Sequence, residues 1–230
     1  MSAQAITVKQ IASRLENATS LERIDALQEL QSIAKQSPEL VGEHSLKKVL
    51  DFLKEQGSSE EYQEALDLIY RLVKCRDKTA AQKNTAIVLG DARSVELLLE
   101  LLEHEDLMVG VMTSQILTEI HANDGATLES QIQMCPDGKY FQFTDFDVTF
   151  QLGMNKLLQR LPDTSREEVR NQAIVLIQQL TANNEEMKKT VVFNEVVLQI
   201  VTLIRFSFLI RALKFYLTLS ALKEGPTMLV

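Results

Sequence analysis

Inside runs of helical spacing, one short pattern recurs: a small residue, an apolar residue, and a second apolar residue three positions on. It reads Ala26-Leu27-x-x-Leu30, Ala65-Leu66-x-x-Ile69 and Ala173-Ile174-x-x-Ile177, with Thr113-Ser114-x-x-Leu117 as a weaker copy. Successive copies stand 39, 48 and 60 residues apart. A helix pair with one apolar side cannot bury that side alone, so units of this kind must lean on the next unit. The pattern therefore demands a stack, and it leaves little room for any other use of the core.

The first two spacings bracket the period of roughly 40–47 residues of armadillo and HEAT-type units. The predicted fold is all-α, an armadillo/HEAT-like right-handed α-solenoid. Turn formers agree, since 8 Gly and 4 Pro in 230 residues are too few for a loop-rich β-sandwich or barrel. Start signals mark individual helices. Thr19 with Glu22 and Ser58 with Glu61 fit capping boxes, and Ser37-Pro38 places a proline at the first helical position. Leu21, Ile24, Leu27, Leu30 and Ile33 follow the first of these. Val49, Leu50 and Leu53 follow the Pro38 start, with Gly57 read as the stop. A further helix starts near Ala92 and buries Val95, Leu98, Leu99 and Leu102. Ser165 with Glu168 reads as a third capping box, ahead of the single stripe Val169, Ala173, Leu176, Ile177 and Leu180. The N-terminal stretch lacks the apolar run of a signal peptide and reads as a short helix through Ile6, Ile11 and Leu15.

The interval of 60 residues is too long, and residues 139–153 account for the excess. Phe141, Phe143, Phe146, Val148, Phe150 and Leu152 switch to a strand-like alternation. Removing these residues shortens the interval to 45 and joins Cys135-Pro136-Asp137-Gly138 to a helix beginning at Met154. The chain is accordingly divided into a repeat domain, residues 1–204, carrying a non-helical or weakly β inserted loop at 139–153, and an atypical hydrophobic and basic segment, residues 205–230.

Charge narrows the functions. The whole chain carries −8, with −11 in the first 200 residues and +3 in the last 30. Such a balance disfavours a nucleic-acid binder held by phosphate contacts, so no nucleic acid is expected. His44, His104 and His121 are scattered without metal-ligand spacing, Gly90 and Gly110 are isolated, and Ser114 and Ser165 have no His nearby in sequence. Cys75, between Lys74 and Arg76, and Cys135 read as reduced thiols, and the acidic run Glu103-His104-Glu105-Asp106 reads as an inter-helix turn. Neither an enzyme nor a cofactor or metal site is expected.

Candidate partner-binding residues are Arg166, Arg170 and Asn171, which lie opposite the apolar stripe of the clearest helix. They either solvate that face or present an i, i+4 cation pair to an acidic partner. Arg205, Arg211 and Lys214 interrupt the apolar run from Val201 to Leu222. Each would cost about 2.5–3.5 kcal/mol near a bilayer centre, so the run is not expected to span. It either lies on an anionic membrane surface or packs Leu203, Phe206, Ile210, Leu213 and Leu217 on the last repeat.

The run Arg166-Glu167-Glu168-Val169-Arg170-Asn171-Gln172-Ala173, continued by Leu180-Thr181, Asn184 and Val191-Val192-Phe193, resembles the armadillo-like head of the general vesicular transport factor family. Pro136-x-Gly138 joined to Met154–Leu161 is similar to that family's preceding turn and helix. The likeness covers about residues 19–204, excluding 139–153, and fades from Ile204. After Phe193 the family's acidic-Asn-Ala-Phe continuation is replaced by Asn194-Glu195-Val196-Val197, and no sustained heptad seam is present. The resemblance implies a non-catalytic interaction scaffold, the N-terminal part of a vesicle-tethering head in endoplasmic reticulum-to-Golgi or intra-Golgi traffic. It would be cytoplasmic and peripheral on Golgi membranes, with a Rab-type GTPase or tethering complex as partner. The alternative is an armadillo-type chaperone cofactor or general adaptor without a role in traffic.

Overall fold

The structure is a computed structural model, and it describes residues 3–16, 18–55, 57–134, 152–161 and 166–193. Among these residues the secondary structure is helical throughout. In chain order the elements are α1 (Ala3–Ser13), α2 (Ser20–Ala34), α3 (Pro38–Phe52), α4 (Ser59–Val73), α5 (Lys78–Leu89), α6 (Ala92–Leu101), α7 (Leu107–Met134), α8 (Leu152–Leu158), α9 (Glu167–Ala182) and α10 (Glu185–Phe193).

These helices form two rows. In one, α2 packs on α4, α4 on α7 and α7 on α9; in the other, α1 packs on α3 and α3 on α5, with α6 against α8 farther along. The recurrent sequence pattern sits on the first row, one copy per helix. Ala26, Leu27, Leu30, Ala65, Leu66 and Ile69 are buried in α2 and α4; in α9 Ala173 and Ile177 are buried but Ile174, the second residue of that copy, is exposed. The weak copy works in the same place: Thr113 and Ser114 are fully buried in α7, their hydroxyls satisfied by the carbonyls of Val109 and Gly110 one turn back. A single apolar cluster runs from Val8 in α1 to Met187 in α10, as expected of an α-solenoid.

Local signals explain several helix starts. Thr19 and Ser58 each form complete capping boxes with Glu22 and Glu61. Pro38 stands at the start of α3, but the Ser37 side chain makes no cap hydrogen bond there. Helix α5 is one that sequence periodicity passes over. It starts at Asp77, whose carboxylate accepts the backbone N–H groups of Thr79 and Ala80.

Other expectations shift. Helix α3 ends at Phe52, ahead of Gly57. Ile6 is 47% exposed and Leu21 70% exposed; α1 buries Ala5, Val8, Ile11 and Ala12 instead of a face through Ile6. Arg166, not Ser165, is the N-cap of α9, and no side-chain cap bond is made; Ser165 lies outside the described residues. Leu152 and Gly153 belong to helix α8, so the last two residues assigned to the strand-like loop are helical. The rest of that loop, the Cys135-Pro136-Asp137-Gly138 turn and all of 194–230 lie outside the described residues.

Two further features hold the stack in register. Helix α7 is kinked at Asp124 (φ −152°, ψ 76°), where the Asp124 carboxylate accepts the Thr127 N–H and starts the second half of the helix. Buried amides then close carbonyl ends left open by earlier helices. Asn84 donates to the Leu72 carbonyl at 3.0 Å, Asn123 to that of Val73 at 2.8 Å, and Gln131 to that of Leu89. Each ties the end of one helix to a later helix, which secures both angle and spacing.

Candidate partner-binding surface

The N-terminus of α9 is built onto the corner between α6 and α7. Within that corner, Asp106 accepts the Met108 N–H at 2.8 Å and the Gln63 side-chain amide at 3.0 Å. Burial opposes ionisation of Asp106, but the hydrogen bonds from the Met108 and Val109 backbone, Gln63 and Ser59 outweigh it and hold its pKa below the ordinary value. His104 accepts the Asp106 N–H through Nδ1 at 3.0 Å, and its ring meets Tyr62 edge-on with centroids 5.2 Å apart. The acidic run is therefore an inter-helix turn in which His104 and Asp106 bond within the corner and Glu103 pairs with Arg160 at 2.6 Å.

Arg166 completes this corner. Its Nη2 donates to the carbonyls of His104 at 2.6 Å and Asp106 at 3.3 Å. Gly110 permits the approach, since a Cβ there would lie 3.2 Å from Val169 Cγ2 and 3.4 Å from Arg166 Nη2. Arg170 pairs with Glu167 at 3.4 Å. Asn171 is exposed on the same side. The structure thus keeps the three residues together near the start of α9 but spends the Arg166 guanidinium on backbone carbonyls. Arg205, Arg211 and Lys214 lie outside the described residues.

Farther along α9, Ile174 is 37% and Val175 42% exposed. In the earlier copies of the recurring pattern the residues that match Ile174, Leu27 and Leu66, are fully buried. No group of His, Cys, Asp and Glu side chains suited to a metal ion occurs among the described residues, and no described helix is long and apolar enough to cross a membrane.

A second polar region was not anticipated as a site. Where α2 and α4 end, a groove of about 570 Å³ is lined by Lys35, Tyr70, Arg71, Lys74, Cys75 and Arg76, among others. Lys74 pairs with Glu119 at 2.8 Å and donates to the Tyr70 hydroxyl; the Glu119 hydrogen bond, followed by that to Tyr70, raises its pKa well above the usual lysine range. Arg71 pairs with Asp67. Cys75 is half-buried and donates its Sγ–H to the Asp77 carbonyl. Burial, and then the Asp77 charge, pushes the thiol pKa up, so proximity to Lys74 and Arg76 does not activate it. The sequence signal for this groove was the basic run Lys74-Cys75-Arg76, but its partner Lys35 comes from another helix.

No family model matches the chain. It is 26% identical over 204 residues to the human general vesicular transport factor p115, a match covering 83% of this chain and 20% of that protein. The chain is homologous to general vesicular transport factor p115. Golgin candidate 6 of Arabidopsis thaliana is 30% identical over 199 residues, covering 81% of this chain and 20% of that protein. The chain thus spans about a fifth of the length of these p115-like relatives. Among solved structures, Uso1-1 superposes with a TM-score of 0.69 at 17% identity, over 86% of this chain and 33% of that one. Uso1-2 superposes with a TM-score of 0.68 at 16% identity, over 86% and 32%. These two likenesses bear on the fold, which is a helical solenoid in this chain too.

Proposed function

We propose that this chain is a non-catalytic interaction scaffold acting in vesicle tethering between the endoplasmic reticulum and the Golgi or within the Golgi. Its homology to p115 across 204 residues carries the reading. The architecture suits the role: helix caps and buried amides fix the stack before any partner arrives, so a preformed surface meets the partner at little ordering cost. In this reading the partners are proteins, a Rab-type GTPase or a tethering complex, and the chain works peripherally on Golgi membranes.

For the partner face we propose the start of α9, formed by Arg170, the exposed Asn171, and Ile174 and Val175 farther along the helix. Arg166 contributes by holding α9 on the α6–α7 corner, through the bonds to His104 and Asp106. Contact of Arg205, Arg211 and Lys214 with an anionic membrane surface belongs to the same proposal. So does the division into a repeat domain of residues 1–204, an inserted loop and a C-terminal segment.

The test is affinity capture from cytosol on the immobilised 230-residue chain, with and without a non-hydrolysable GTP analogue. The expected result is nucleotide-dependent recovery of a traffic GTPase or a tethering-complex subunit, reduced by Asn171→Asp with Arg170→Glu. Recovery of Hsp70 with no traffic protein would overturn the reading in favour of a chaperone cofactor.

A further inference from the structure

The groove at the ends of α2 and α4 has properties that the tethering reading does not use. Two of its cations are internally paired, Arg71 with Asp67 and Lys74 with Glu119. Lys35 and Arg76 are different: both are exposed, and among the described residues neither has a carboxylate within ion-pair reach. A helix C-terminus favours a nearby cation, which accounts for Lys35 at the end of α2 and for Arg71 and Lys74 at the end of α4. It does not account for Arg76, which stands beyond the α4 cap. Tyr70, against which Lys74 packs, also lines the groove. The volume, about 570 Å³, is in the range of roughly 300–1,000 Å³ that accepts a ligand or a short peptide segment.

We infer that this groove binds an acidic peptide segment of a partner protein, with Lys35 and Arg76 as the charges that recognise it. Charge complementarity supports the occupant. In a chain of net charge −8, a concave site with unpaired cations is a local reversal that steers a narrow anionic chain. The same distribution argues against a flat anionic membrane as the occupant. Asp77 lines the groove, Asp67 and Glu119 are paired with its Arg71 and Lys74, and Glu39 stands at the start of α3 beyond Pro38. A broad anionic surface would meet these carboxylates as well as the two cations, whereas a single narrow segment need engage only the cations. Tyr70 supplies an apolar wall for the segment's backbone and aliphatic carbons. The inference does not depend on the tethering role, because an acidic segment can be bound in any cellular setting.

The experiment is fluorescence anisotropy of a labelled oligo-glutamate peptide titrated with the full chain at low and moderate salt. Lys35→Glu with Arg76→Glu is expected to weaken binding by about tenfold or more. The control is Lys47→Glu with Arg93→Glu, which changes net charge equally through two exposed cations that also lack ion pairs among the described residues; binding is expected to stay within about twofold. All four positions are exposed, and circular dichroism verifies that the variants remain folded. Equal loss in both double variants would show general electrostatics and overturn the site. Absence of peptide binding would overturn it, and flotation on phosphatidylserine-containing vesicles that depends on Lys35 and Arg76 would then assign the groove to a lipid surface.

Discussion

Gly42 and Asn84 form a contact whose energetics can be worked out and tested. Gly42 lies inside α3 and is buried. Glycine in a helix interior normally costs about 1 kcal/mol relative to alanine, so Gly42→Ala would ordinarily stabilise. Here a Cβ on Gly42 would fall 1.8 Å from Asn84 Oδ1 and 2.6 Å from Asn84 Cγ. The amide is fully buried and its Nδ2 is fixed at 3.0 Å from the Leu72 carbonyl. Its Oδ1 has no hydrogen-bond partner, since the glycine surface occupies that side. Either the helices α3 and α5 separate, an overpacking cost of about 1–3 kcal/mol, or the amide turns and leaves the Leu72 carbonyl unsatisfied, about 1–3 kcal/mol. With the propensity gain of about 1 kcal/mol deducted from either cost of about 1–3 kcal/mol, the expected net loss for Gly42→Ala is about 0–2 kcal/mol. In an Asn84→Ala background the obstructing atoms are gone, and the same change should stabilise by about 1 kcal/mol. The assay is urea unfolding followed by far-ultraviolet circular dichroism on the four members of the double-mutant cycle. An equal shift in both backgrounds, or a more stable Gly42→Ala single variant, would refute the reasoning.

Other perturbations test separate parts of the fold. Asp77→Ala removes the oxygen that accepts the Thr79 and Ala80 N–H groups and should cost about 1 kcal/mol in chemical unfolding, with the loss of protection in hydrogen exchange concentrated in α5. Leu176→Ala empties a fully buried position of α9 and should cost about 2–5 kcal/mol in the same unfolding assay. Replacing Arg166 by Met leaves the His104 and Asp106 carbonyls without that donor; the expected loss is about 1–3 kcal/mol, with faster amide exchange at the start of α9. Glu61 gives the pH dependence. Burial opposes its charge, but the Ser58 and Ser20 hydrogen bonds and Arg23 outweigh this and lower its pKa below the ordinary 4.5. Its contribution is therefore fully present above pH 4.5 and lost as the pH falls through the lowered folded-state value. Unfolding midpoints of Glu61→Gln measured from pH 6 down to pH 3 should fall less steeply than those of the native chain.

What the sequence determined by itself is local in origin. The capping boxes at Thr19 and Ser58 need only residues three positions apart, and both close as expected. The α9 stripe Val169, Ala173, Leu176, Ile177 and Leu180 is set by helical periodicity, and all five residues are buried. The recurring small-apolar pattern likewise placed one copy on each helix of the α2–α4–α7–α9 row. Asp77 and the Asn123-Asp124-Gly125 breaker were present as signals for the start of α5 and the kink in α7, although periodicity alone passed over them.

Tertiary structure decided everything that depends on which helix lies alongside which. Ile6 and Leu21 share the helical spacing of core residues, yet both are exposed. Arg166 reads as a surface cation until α6 and α7 bring two carbonyls to its guanidinium. Lys35 and Arg76 belong to one groove only because α2 packs on α4, and Asn84 serves Leu72 because α5 returns along the end of α4. The physical reason is that helix period fixes the angle of a side chain about its own axis, whereas burial and pairing are fixed by the atoms that other helices place opposite it.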